Sequence, residues 1–254
     1  MPEHATWLTF LLGMMKENLE HNAGLLGASF VGGQKATWQS FEPLAASVLV
    51  MFFITLMALK VRGQVSAKDA LVPEAKLSLR TFLEVFLEYF YGMAKSVMDP
   101  ERAKKYFPII GGSALFIFCS NALALIPGMP VPTSNLNITL GCALVVFVMF
   151  NLYGIKEQGF GYIKHLAGPV WYMAPLIFPI EVISTVVRPV TLAVRLMLNM
   201  AVDHLILSIF LGMVAVLVPL PVMILGILVL FVQTLVFTLL TCIYIGLATE
   251  HEAH

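Results

Sequence analysis

Charge is scarce in this chain: 12% of residues are Asp, Glu, Lys or Arg, 59% are hydrophobic, and the formal net charge is zero. That is too little ionic surface to clothe a water-soluble domain, so the composition identifies a polytopic membrane protein. Cysteine is nearly absent too. The three that occur, Cys119, Cys142 and Cys242, sit far apart in apolar runs with no CxxC. They exclude a disulfide framework, a thiolate metal site and an iron–sulfur set, and read as small core residues. No histidines stand at haem-binding spacing, which disfavours a membrane subunit of a redox complex. No phosphate-binding loop occurs, so the chain is not expected to bind or hydrolyse nucleotide itself. No internal duplication is visible, which argues against a secondary ion-coupled transporter, the alternative reading carried forward. Nucleic-acid partners are not supported, and neither a cofactor nor a metal is expected.

What the chain does contain is a succession of apolar runs, which predicts an all-α integral membrane protein forming a single polytopic domain over residues 1–254. Residues 1–42 form an outside segment. Its apolar patch, Trp7 to Met15, is followed by Lys16, Glu17, Glu20 and His21, the wrong flanks for a signal peptide, and reads as a short interfacial helix retained on the protein. Spans are expected over 43–59, closed by Lys60 and Arg62, over 106–126 and over 136–155. Residues 77–98 form an amphipathic helix, with Leu79, Phe82, Leu83, Phe86, Leu87, Phe90 and Met93 on one face and Arg80, Glu84, Glu88 and Lys95 on the other. Charge at nearly every turn places it in the membrane interface, although a helix packed on a soluble partner gives the same pattern. Residues 171–218 contain Pro175, Pro179 and Pro189 but no charge-rich break, and Pro219-Leu220-Pro221 predicts a tight turn before a last helix over 222–248. A continuous helix of that first length is about 70 Å long against roughly 30 Å of hydrocarbon, so it must tilt steeply or kink. The expected architecture is five transmembrane helices plus the interfacial helix, the last two spans long, steeply tilted and antiparallel.

One stretch stands apart. From Phe178 to Ile206, Glu181, Ser184, Arg188, Thr191, Arg195, Asn199 and Asp203 recur at steps of three or four, which is one polar face on an otherwise apolar helix. A charge at mid-membrane costs roughly 2.5–3.5 kcal/mol on insertion scales, and intramembrane ionisable residues mark ion pathways by default. Internal neutralisation is the plainer reading, with Glu181 pairing Arg188 and Asp203 pairing Arg195. Against it stands length: a stripe of about six turns suits a wet path or a sliding contact better than one ion pair.

The run RPVTLAVRLMLNM (Arg188 to Met200), with NALALIPG from Asn121, PTSNLNITL from Pro132 and the ending QTLVFTLLTCIYIGLATEHE from Gln233, resembles subunit a of the F-type rotary ATP synthase, in the same order from Phe41 onward. The resemblance implies a stator subunit of the membrane sector that grips a c-subunit ring and meets b-type peripheral stalk subunits. It implies a proton-translocating subunit with no catalysis of its own, multi-pass in an energy-coupling membrane, the bacterial inner membrane, with its C-terminus cytoplasmic. It lays the family's essential arginine on Arg195, between two offset aqueous half-channels. Asn199, Asp203 and His204 would line the outward inlet with Gln233 of the last helix opposite, and Glu181, Ser184, Arg188 and Thr191 the exit. Gln233 is the expected partner of Arg195. Where the family pairs a histidine with a carboxylate on the facing helix, Gly226 stands here, and Asp203 is the substitute. Asn121 and Asn135 either line the inlet or serve as interhelical glue, and Arg188 either lines the exit or snorkels and pairs with Glu181.

The majority of the 15 Lys and Arg residues lie between Lys60 and Lys105, with Lys156 and Lys164 on a second loop. The positive-inside rule puts both segments in the cytoplasm and the N-terminus outside. Single cysteines introduced at Ser66 and Ser134 are therefore expected to react with impermeant maleimide from opposite sides of the membrane. Labelling from the same side would overturn the five-span topology.

Overall fold

The computed structural model describes residues 42–65, 78–126, 129–159, 174–213 and 219–249. Among them are six α-helices: α1 Glu42–Val65, α2 Leu79–Val97, α3 Pro100–Ala122, α4 Leu136–Gln158, α5 Ala174–Met213 and α6 Pro219–Thr249. Two 3-10 turns, Leu123–Leu125 and Pro132–Ser134, lie between α3 and α4. Five of the helices, all but α2, are long and apolar enough to cross a membrane. The interfacial helix expected at Trp7 to Met15 lies outside the described residues.

Helix bounds differ from the expected ones for identifiable reasons. Helix α1 runs past Lys60 and Arg62 to Val65, since basic side chains in a last turn suit the helix dipole and extend toward water. Helix α3 starts at Pro100 with Asp99 as N-cap, because proline at the first position loses no intrahelical bond. Helix α4 continues to Gln158 and stops at Gly159, whose φ of 57° and ψ of −131° suit glycine alone. Pro219-Leu220-Pro221 does not form the expected turn: it opens α6, again because prolines are accommodated in a first helical turn. Pro179 and Pro189 lie inside α5 without ending it.

Helix α2 departs from its expected faces. Arg80 is buried, with Leu83, Phe86, Phe90 and Ala94, and its Nε donates to Glu84 Oε1 at 2.7 Å. Leu79, Phe82, Val85 and Tyr89 are exposed. The apolar arc of α2 is therefore wider than the packed one, leaving aromatic surface facing outward.

Helix α6 is the hub, packed against α2, α3, α4 and α5. Its buried Phe237, Cys242 and Ile245 meet Tyr106, Ile110 and Ile117 of α3, Val146 and Phe150 of α4, and Leu192 and Leu196 of α5 in one core. Thr234, Thr238, Thr241 and Thr249 are buried on α6, and each hydroxyl donates to the carbonyl four residues earlier at 2.7–2.9 Å. Their polar atoms are thus satisfied within the helix and the side chains serve as small packing surfaces. At 1.5 Å per residue, the 40-residue α5 and 31-residue α6 are roughly 60 and 46 Å long. Neither stands upright within about 30 Å of hydrocarbon without tilting or projecting. They follow each other closely in sequence and touch along their length, so they run antiparallel.

The two ends of the bundle are tied differently. At one, the last carbonyls of α6 find partners on two neighbours: Arg102 Nη1 donates to Thr249 O at 3.1 Å and Gln158 Nε2 to Ala248 O at 3.3 Å. These satisfy acceptors that a helix terminus leaves open, and a cation there also suits the dipole. Beside them Glu157 accepts from Tyr106 Oη at 2.6 Å and pairs with Lys105, joining α4 to α3. At the other end Thr133 Oγ1 donates to Asn121 Oδ1 at 2.7 Å, both side chains buried.

Tyr106→Phe keeps the ring against Tyr153 and removes only the hydroxyl. Loss of a hydrogen bond to a carboxylate is expected to cost about 1.5–3 kcal/mol, read as a lower thermal midpoint of the detergent-solubilised chain. An unchanged midpoint would show that the α3–α4 tie is dispensable.

Candidate functional site

Helix α5 has two unlike sides. Leu192, Ala193, Leu196 and Met200 are buried against the rest of the bundle, whereas Thr191, Arg195, Leu198, Asn199 and Val202 are exposed. Arg195 therefore points away from its own core. Among the described residues it makes no hydrogen bond and no ion pair, so the pairing with Asp203 does not form.

Nor does Gln233 meet Arg195. Asn199 Nδ2 donates to Gln233 Oε1 at 2.7 Å, and further along, the guanidinium carbon of Arg188 sits 5.7 Å from the ring centre of Tyr244. Both contacts fit one antiparallel register, eleven residues on α5 matching eleven on α6, or three helical turns on each. In that register the residue level with Arg195 is Phe237, fully buried. Gln233 lies one turn away and is taken by Asn199, and the hydroxyl of Thr238, next to Phe237, is used within α6 on Thr234 O. The expected Gln233–Arg195 partnership is thereby corrected.

Toward one end of the stripe, Arg188 pairs with Glu181 at 3.5 Å while resting on Tyr244. Here the neutralisation reading holds for one pair. Thr191 Oγ1 donates to Arg188 O at 2.9 Å, so that hydroxyl is used within its own helix. Ser184 is half-buried between the levels of Glu181 and Arg188. Toward the other end, Asp203 is half-buried, and its Oδ2 is buried without a hydrogen-bond partner. His204 follows on the helix, but its side chain lies outside the described residues.

Asn121 and Asn135 have distinct places. Asn121 is buried and held by Thr133, with its Nδ2 unpartnered. Asn135 caps α4, its Oδ1 accepting from Asn137 N at 3.0 Å, so a helix start accounts for it. A Cβ placed on Gly226 would meet Leu125 Cδ2 at 3.6 Å, which turns this position toward the 3-10 turn after α3.

Among the described residues, four buried side-chain atoms lack a protein partner: Ser120 Oγ, Asn121 Nδ2, Asp203 Oδ2 and Gln233 Nε2. All belong to the Asn121 side of Arg195, none to the Glu181 side. Buried polar groups are almost always hydrogen-bonded, and where no side chain serves, water does. The Glu181 end of the stripe, by contrast, has Arg188 held by an ion pair and a cation–π contact.

Sequence reasoning missed Tyr244, Thr133 and Ser120. Tyr244 was accessible in principle, since it lies three turns from Gln233 on the same face of α6. Thr133 and Ser120 carry no local signal, because what makes them polar contacts is the fold that buries them. Among the described residues no cluster of His, Cys, Asp or Glu is arranged to hold a metal.

Residues 42–246 match the family model described as ATP synthase A chain. The chain is 60% identical over its whole length to ATP synthase subunit a of Sorangium cellulosum, which is also covered completely. It is 41% identical, over 98% of its length and 96% of the relative, to ATP synthase subunit a 1 of Syntrophotalea carbinolica. With ATP synthase subunit a of Geobacter sulfurreducens it shares 46% identity over 69% of this chain and 76% of that one.

Proposed function

The chain belongs to the ATP synthase A chain family, a multi-pass membrane subunit that moves protons for the synthase and is no catalyst alone, and on that premise we propose that Arg195 is the fixed charge against which a rotating ring of acidic subunits is deprotonated. One observation carries this reading: Arg195 is the one charged group on an exposed flank that it shares with Val187, Val190, Leu198 and Val202 and the uncharged Thr191 and Asn199, inside a membrane span. A charge so placed, with no counter-charge among the described residues, calls for one from outside.

A guanidinium stays protonated at any attainable pH, so Arg195 cannot relay protons and acts by field. When a ring carboxylate arrives opposite it in low dielectric, the ionised form is favoured and the proton leaves. The same charge repels any proton that would pass straight from one aqueous path to the other. Lysine is a poor substitute, because it deprotonates more readily when desolvated and lacks the planar fork.

The inlet runs past Asn121, Gln233, Asn199, Asp203 and His204. The unpartnered buried atoms on that half support water there, and Asp203 with His204 supplies titratable groups. The exit runs past Thr191, Arg188, Ser184 and Glu181. The c-subunit ring rides on the exposed flank of α5 and α6, where Ile224, Leu225, Leu228 and Phe231 continue the apolar surface. The b-type peripheral stalk subunits take the opposite side, where α1 exposes Val48, Met51, Phe52 and Phe53. The membrane is a bacterial one, as in the relatives, and the C-terminus lies on the cytoplasmic side by the charge distribution.

Arg195→Ala is expected to abolish ATP-driven proton pumping in inverted vesicles, measured by dye quenching, while the subunit still inserts. Pumping at a near-normal rate would sink the assignment. Replacing Asp203 and His204 together by Asn and Gln is expected to slow synthesis and shift its dependence on outside pH without uncoupling. A wild-type rate and pH profile would make that pair structural and leave the inlet to Asn121, Gln233 and water.

A further inference from the structure

At the end of the bundle farthest from Asn121, a cavity of about 440 Å³ opens between the last turn of α2, the first turn of α3 and the last turns of α6. Its lining is divided. Lys95, Ser96, Asp99 and Arg102 form one side, and Ile243, Gly246 and Leu247 the other. We infer that this cavity binds the headgroup phosphate of an anionic membrane phospholipid, with the lipid's chains leaving along α6.

Charge supports an anion. Asp99, the only acid among the described lining residues, is paired with Arg102 at 3.0 Å. Lys95 lies over the Tyr91 ring at 4.6 Å and has no carboxylate partner among the described residues. Among the described lining residues one cation is thus left over. The start of α3 adds to it: Asp99 makes no side-chain cap, and Pro100 carries no N–H. The N–H groups of the following turn keep their positive end toward whatever lies before the helix.

Shape and setting support a lipid over a free anion. Leu247 is 56% exposed, so the apolar side of the cavity runs on to the outer surface of a membrane-spanning helix, where acyl chains lie. A Cβ on Gly246 would sit 3.9 Å from both Met98 Cβ and Val97 O, so the glycine keeps the cavity floor low where α6 passes the α2–α3 junction. Lys104 and Lys105 follow on α3, within the basic segment that the positive-inside rule assigns to the cytoplasmic leaflet, the leaflet rich in anionic lipid.

The test uses the full chain purified in detergent and titrated by calorimetry with short-chain phosphatidylglycerol, phosphatidylcholine of equal chain length, and inorganic phosphate. Saturable binding of phosphatidylglycerol is expected, weakened about fivefold in Lys95→Gln, abolished in Gly246→Leu and unchanged in Lys60→Gln. Phosphatidylcholine binding as tightly would overturn the anion requirement, and inorganic phosphate doing so would overturn the lipid. Equal affinity in Lys95→Gln and wild type would overturn the site itself, whatever Gly246→Leu does to folding.

Discussion

Arg195 and Gln233 are one helical turn out of step, and much of the rest of the structure follows from that offset. The register that joins Asn199 to Gln233 and Arg188 to Tyr244 sets Arg195 level with Phe237, a buried ring with no polar atom. The guanidinium is left on the outer flank of α5 with nothing among the described residues to neutralise it. Had the register slipped by a turn, the amide of Gln233 would have faced the arginine and weakened its pull on anything beyond. An internal ion pair would have done so more completely, since a satisfied buried charge exerts little net field outside its pair.

Holding an uncompensated charge in one place demands a rigid mount. Helix α6 supplies it by packing on four neighbours with small, internally satisfied threonines, whose hydroxyls bond within their own helix and leave close helix–helix contact to methyl groups. Its final carbonyls are taken by Arg102 and Gln158. That end is therefore fixed to α3 and α4, and the Tyr106–Glu157–Lys105 cluster fixes α3 to α4 in turn. Among the described residues the opposite end has one buried hydroxyl–amide bond, Thr133 to Asn121, beside buried polar atoms that no described side chain satisfies. One end is sealed by protein contacts, and the other is chemically suited to water. The asymmetry matches a subunit in which the two sides of the arginine have unlike environments.

Much of this was legible in the sequence, because the lipid setting removes alternatives. Backbone polar groups in hydrocarbon must be satisfied within the segment, so long apolar runs mean helices. Low charge and uneven basic residues then fix the class and suggest the topology. The polar stripe of α5 was likewise readable, since a helical period with charges at successive turns depends on nothing beyond the helix itself. Helix ends were read less well at Pro219 and Lys60, where proline and basic residues signal either a stop or a first or last turn.

What the sequence by itself determined is which residues are polar, how they are spaced along a helix, and which family the chain falls into. Only the tertiary structure decided which of them touch. Glu181 meets Arg188, while Asp203 leaves Arg195 alone. Gln233 goes to Asn199, Asn135 caps a helix, and Gly226 lies against Leu125. The physical reason is that periodicity fixes a side chain's angle around its own helix but carries no information about the axial register between two helices. A shift of one turn, about 5.4 Å, leaves the polar and apolar pattern of each helix intact and exchanges every partner across the interface.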